Sequence, residues 1–414
     1  MAVASALVST QNHVEAPFII VQIGKYTFGH CSKPDRFKLN SVFNIEYSNY
    51  MDNLNIVKVN GSVNTYVLTM TYAITEQDDP NRLEKVFSSV SKSRKITLKY
   101  GDWNAPSFIY KDEEAIITKL TTKVNMKNST INYVINCQSS ALSLTGASFP
   151  FPSKFTKPSD ELKRLLKNKR YNLLEIFPGM KNSDFSNFIA SNDKQVQLEA
   201  QPSMSILEYI SYLVSCMVYV GDSSSGLKSS CYYWSIYDDI SNKYGGTYFK
   251  VVRVSSNTKT TVSFNTYEVD VGYPTDSNVI DFTINNDDSW ALLYNYSKNI
   301  ELPEYSYSID SNGNLVQEDS SFITESRKTY VTTETTRNWW SLMTQFPITA
   351  TLTIKGLLRP AMLMSYVKIN TYFYGHKHTS SGLYIITKQE DTINSYGYKT
   401  TLSLIRVGGD EHYV

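Results

Sequence analysis

The stretch Leu383–Gly409, LYIITKQEDTINSYGYKTTLSLIRVGG, decides how the chain is read. Its alternation of apolar and polar residues is that of two half-buried strands joined as a polar hairpin. It follows GHKHTSSG, in which His376 and His378 would put two imidazoles on one side of a strand. A zinc centre needs a third ligand, and none stands at a motif spacing; His412 is alone near the last residue. No metal site is expected, and the segment reads as an exposed hairpin or interface loop.

The bulk composition narrows the classes. Of 414 residues, 41% are hydrophobic and only 19% charged, and the balance is made up by Ser, Thr, Asn and 31 Tyr. Tyr and Thr favour strands, and Tyr suits interfaces because its ring buries area while its hydroxyl stays bonded. The net charge of +1 lacks the basic excess of a nucleic-acid binder. No run of 18 apolar residues predicts a membrane span. The segment MAVASALVSTQNHVEA reads as a flexible arm or a pairing strand and not as a signal peptide. Cys31, Cys137, Cys216 and Cys231 form no CxxC pair and are expected as buried free thiols of a reducing compartment.

Working back along the chain, residues 16–145 alternate as antiparallel strands, from FIIVQIGKYTFG to TINYVINCQSS, interrupted by one helix in DDPNRLEKVFSSVSKS. Residues 146–282 change character. KPSDELKRLLKN predicts a helix capped at Ser159, MSILEYISYLVSCM a second capped at Ser203 or Ser205, and CYYWSIYDD and GTYFKVVRVSS two strands. Residues 283–345 form a polar linker that ends at Trp339 and Trp340 and carries the start of a second β unit, which fills 346–414. Residues 1–15 are the arm. The expected fold class is α+β, mainly β: two antiparallel β-barrels with an α+β insert between them.

Candidate chemistry is sparse. The adjacent acids Glu113-Glu114, Asp238-Asp239 and Asp287-Asp288 would point apart on a strand, whereas glycosidase carboxylates must face each other. Neither a GxSxG elbow nor a phosphate loop occurs. No catalytic residue and no cofactor is predicted.

The C-terminal third resembles the closing barrel of phage baseplate hub proteins, the tube-like hub family of contractile tails and related injection systems. The resemblance rests on Gly356, Pro360, Gly382, Tyr384, Gly397, Tyr398, Thr401 and Leu402. KPSDELKRLLKN and SMSILEYISYLVSCM look like the family's middle helices, and the N-terminal layout is similar to a tail-tube barrel. LLRPAM and the long polar linker depart from the pattern. The resemblance implies a homotrimer that adapts a sixfold tail tube to a threefold spike in the baseplate of a virion tail. Its implied partners are the central spike, the tube or tube-initiator protein and the tape-measure protein. DNA would pass through its channel without specific binding, and no stable membrane insertion is implied. Two rival classes remain: a tail-associated peptidoglycan hydrolase, and a carbohydrate-binding receptor module using Trp339 or Trp340.

Overall fold

The computed structural model describes residues 13–24, 26–31, 47–48, 51–73, 95–102, 110–181, 184–217, 230–238, 246–255, 265–271, 278–286, 307–309, 315–317, 348–356, 363–378 and 380–408. The helix expected in 78–93, Pro360, Asp239, Asp287-Asp288, Trp339, Trp340, His412 and most of the 283–345 linker lie outside the described residues.

The strands in chain order are β1 (Pro17–Ile23), β2 (Tyr26–Cys31), β3 (Tyr47–Ser48), β4 (Met51–Val59), β5 (Thr65–Ala73), β6 (Lys95–Asp102), β7 (Tyr110–Asn125) and β8 (Thr130–Ser139). The middle of the chain adds β9 (Ser148–Phe151), β10 (Lys154–Thr156), β11 (Val196–Leu198), β12 (Gln201–Ser205), β13 (Ser230–Asp238) and β14 (Thr247–Ser255). It also holds helices α1 (Pro158–Lys167), α2 (Leu173–Ile176) and α3 (Ile206–Ser215). Then come β15 (Asn265–Val271), β16 (Val279–Asn286), β17 (Tyr307–Ile309), β18 (Leu315–Gln317), β19 (Ile348–Lys355), β20 (Tyr366–Phe373), β21 (His376–Lys377), β22 (Gly382–Asn394) and β23 (Gly397–Gly408).

Fifteen strands form one sheet, ordered β16-β19-β23-β22-β4-β5-β8-β7-β6-β1-β2-β3, with β20 also on β22 and carrying β15 and β21. The described strands of both expected barrels lie in one continuous sheet, and no ladder among the described residues closes either half. The reason is β22. One long edge of this strand pairs with β23 throughout. The other pairs with β20 at 382–385 and with β4 at 388–394. Strand β15, which lies in the range read as the insert, pairs with β20, and β16, which straddles the boundary at 282, pairs with β19.

Alternation built these strands as anticipated. In β5 and β8 every second residue is buried, which places Tyr66, Leu68, Met70 and Tyr72 beside Tyr133, Ile135 and Cys137 in the first core. The tip of the β22–β23 hairpin contributes Ile393 and Tyr398 to that core, while its base contributes Tyr384, Ile386, Leu402 and Leu404 to a second. A third core lies under α1, α3 and the β13–β14 pair.

Helix α3 is capped at Ser205, one of the two expected positions, by a reciprocal box. Glu208 N–H donates to Ser205 Oγ (3.2 Å) and Ser205 N–H to Glu208 Oε2 (2.8 Å). Helix α1 corrects the expected cap. Pro158 occupies its first turn, where its fixed φ favours helix, so Ser159 already lies inside. The backbone N–H and hydroxyl of Ser159 instead donate to the buried Asp193 carboxylate, at 2.8 and 2.6 Å. A cap supplied from 34 residues away is invisible to a local motif.

Two backbone hydrogen bonds join the lead-in of β1 to the hairpin: Val14 N–H to Gly356 O and Gly356 N–H to Tyr398 O, both 2.7 Å. A Cβ on Gly356 would lie 2.2 Å from Tyr398 Cγ, so only glycine lets the ring pack there. Gly356→Ala is expected to destabilise the chain by about 3 kcal/mol or more by overpacking. In denaturant titrations Tyr398→Ala in the same chain should recover part of that loss, and additive losses would disprove the contact.

Candidate functional site at the shared strand

The hub of the molecule is the point where β22 changes partner. A register shift between Ile386 and Lys388 leaves Thr387 as the extra residue. The bulge resets the alternation. Tyr384 and Ile386 before it, and Gln389, Asp391 and Ile393 after it, sit opposite Arg406, Leu404, Leu402, Thr400 and Tyr398, so all share one face. Without the extra residue one half of β22 would present its apolar residues to the wrong side.

Three parts of the chain meet at the bulge. Asn60 N–H, in the β4–β5 turn, donates to Thr387 O (3.0 Å). Gly61 N–H donates to Trp234 O on β13 (2.8 Å), and Ser235 Oγ donates to Asn60 Oδ1 (2.7 Å). Gly61 takes φ +67°, a left-handed conformation suited to glycine, and the Trp234 indole covers it. On the far side Tyr237 donates its hydroxyl to Leu363 O (2.9 Å), so β13 grips both halves.

Between the two apolar cores lies a buried polar layer. Asp391 accepts from Gln389 Nε2 (2.8 Å) and Thr400 Oγ1 (2.6 Å), and none of the three is exposed. Glu113 accepts from Lys58 Nζ (2.6 Å), Tyr66 OH (2.7 Å) and Tyr100 OH (2.7 Å), all buried. The two carboxylates act on the same phenols. Burial first, then the Glu113 and Asp391 charges, hold Tyr100 and Tyr398 protonated far above the ordinary phenol range. A carboxylate with three hydrogen-bond donors, one of them a paired ammonium, is satisfied, and such groups hold a geometry without doing acid–base work.

The remaining sequence candidates fall apart. Glu114 is exposed while its neighbour Glu113 is buried, as strand alternation requires. His376 and His378 are exposed on the β20–β21 tip, and among the described residues no group of three His, Cys, Asp or Glu gathers to hold a metal. His378 Nδ1 accepts the backbone N–H of Ser380 (3.3 Å) and lies 2.8 Å from Ser380 Oγ. Cys137 and Cys216 are free and buried, and burial pushes their thiols up to about 12 and about 11, so they are inert as nucleophiles. Of the hub-pattern residues, Gly356 and Tyr398 meet face to face. Gly382 opens β22, Gly397 takes the positive φ (+139°) of the hairpin turn, and Leu402 is in the core.

The Lys58–Glu113 pair was the main feature passed over in the sequence. Its signal was present: Lys58 falls in phase with Leu54 and Ile56 of β4, which predicts an inward lysine. Lys58→Met leaves a buried carboxylate without its cation and is expected to cost about 3–5 kcal/mol. Adding Glu113→Gln should return part of this in the same denaturant assay. A single variant within about 0.5 kcal/mol of wild type would show that the pair does not support the junction.

No protein-family model matches the chain, and no curated protein matches it in sequence. Among solved structures, the chain is similar to a tail protein from Neisseria meningitidis (10% identity, TM-score 0.49, 96% of this chain and 99% of that one). It is also similar to the prophage MuSo2 43 kDa tail protein from Shewanella oneidensis (12% identity, TM-score 0.48, 94% and 96%). A third likeness is to the E. coli c3393 protein, a component of the type VI secretion system described as similar to T4 bacteriophage tail proteins gp27 and gp5 (9% identity, TM-score 0.43, 88% and 74%).

Proposed function

We propose that the chain is a structural hub subunit of a phage tail or related injection machine, with no catalytic role. The observation that carries this reading is the shared strand β22, with which strands of both β halves pair. A chain with two β halves joined in one sheet can supply two positions of a ring. Three copies then give six, the number needed to sit between a sixfold tube and a threefold spike. The division into arm 1–15, first β unit 16–145, insert 146–282, linker 283–345 and second β unit 346–414 belongs to the same proposal.

The partners of such a ring are the central spike, the tube or tube-initiator protein and the tape-measure protein. It would be built in the host bacterial cytoplasm and reside in the tail baseplate. A near-neutral chain suits a channel through which DNA passes, because a basic lining would hold phosphate.

The hydrolase reading requires carboxylates facing a cleft. Glu113 and Asp391 are instead sealed inside with side-chain donors on each, which favours a supporting role. The receptor reading rests on Trp339 and Trp340, which lie outside the described residues.

The native mass of the purified chain, by light scattering behind a sizing column, tests the proposal. Three times the 47.1 kDa chain mass is expected at high concentration. A monomer at every concentration, together with clearing of cell walls in a zymogram, would replace the hub by the hydrolase.

A further inference from the structure

Two buried oxygens stand on one face of the parallel ladder between β15 and β20. Asp270 Oδ1 and Asn370 Oδ1 lie out of solvent, and neither has a hydrogen-bond partner among the described residues. Asn370 as a whole is only 9% exposed. Its ladder partner is Glu268, and paired residues of neighbouring strands share a face. Asp270, two residues beyond Glu268 and opposite Tyr372, returns to that face. Neighbouring strands lie about 4.8 Å apart and alternate residues of one strand about 6.6 Å apart, so the three side chains bracket one point above the ladder.

A carboxylate oxygen and an amide oxygen are both acceptors, so the two buried atoms cannot satisfy each other. Among the described residues neither Glu268 nor Asp270 has an ion-pair partner. Lys368 opposite Thr266 and Lys377 opposite Tyr372 share the face, yet no ion pair joins either of them to these acids. Buried acceptors left over in a fold are ordinarily met by a water or an ion. A water brings donors and no charge, whereas two carboxylates on one face also call for a positive charge.

We propose that Glu268, Asp270 and Asn370 bind a calcium ion that pins β15 to β20. The donors are all oxygen, two carboxylates and an amide carbonyl, which is the preference of a hard divalent cation and not of zinc. Two acids and an amide are compatible with the absence of any group of three His, Cys, Asp or Glu among the described residues. Calcium accepts an irregular shell completed by water, whereas magnesium demands a near-ideal octahedron. Two charged donors place the affinity in the weak range, about 0.1–1 mM. The site stands independently of the ring reading.

Terbium luminescence on the full chain tests the site, because Tyr372 stands opposite Asp270 and is placed to sensitise a bound lanthanide. Emission excited through tyrosine should saturate and then be displaced by calcium. Calcium at about 1 mM or above should also slow hydrogen exchange of the amides of 266–270. Asp270→Asn with Glu268→Gln keeps the shape of both side chains. It should weaken terbium and calcium binding about 10-fold or more without lowering the unfolding midpoint in EDTA. Asn370→Asp acts in the opposite sense: a third carboxylate should lower the midpoint in EDTA and tighten calcium binding, so that calcium restores the midpoint. Wild-type emission that calcium does not displace, or exchange at 266–270 that calcium leaves unchanged, would overturn the site and leave the two oxygens to water. A double variant that binds terbium and calcium as tightly as wild type would overturn it too, by placing the ion on other surface acids.

Discussion

A β-strand has two edges, and β22 uses them for three partners. It can do so because it is long enough to serve β20 with one end and β4 with the other, and because the bulge at Thr387 keeps both ends facing inward. Remove that bulge and either Tyr384 and Ile386 or Gln389, Asp391 and Ile393 leave the interior. The two β halves are thus not beads on a string. They share a hairpin, and the interior of each is completed by residues of that hairpin.

Sharing a strand creates a problem that the polar layer answers. Two apolar interiors that run together could slide in register, because apolar contacts carry little directional information. Asp391, held by Gln389 and Thr400, and Glu113, held by Lys58 and two tyrosines, allow one alignment only, since any slip would strand a buried charge. The third core attaches at the same place, through Trp234, Ser235 and Tyr237, so the insert is braced on the junction itself.

Much of this was legible in the sequence. Period-two alternation found β4 to β8, β13, β14 and the β22–β23 hairpin, and the cap signals at their starts found α1 and α3. The pairing of β22 with β4 was not legible, because their residues are more than 300 apart and alternation says which face is buried but not which strand lies beside it. The same gap hid Asp193 as the cap of α1 and left β15 in the insert. Lys58 was legible from its phase, but lysine is so usually exposed that its inward place was passed over. Gly356 and Tyr398 were singled out as hub-pattern residues, and their packing gives each a physical reason: a backbone that must pass within touch of a buried ring.

The account stands on β22 acting as one cooperative unit for both halves. Native-state hydrogen exchange of its amides measures this most directly. Residues 382–386 and 388–394 should open with the same free energy, within about 1 kcal/mol, and a destabilising change at Glu113 should lower both equally. If the 388–394 end alone is lowered, with 382–386 unmoved, the halves open independently and the shared strand is a hinge rather than a joint.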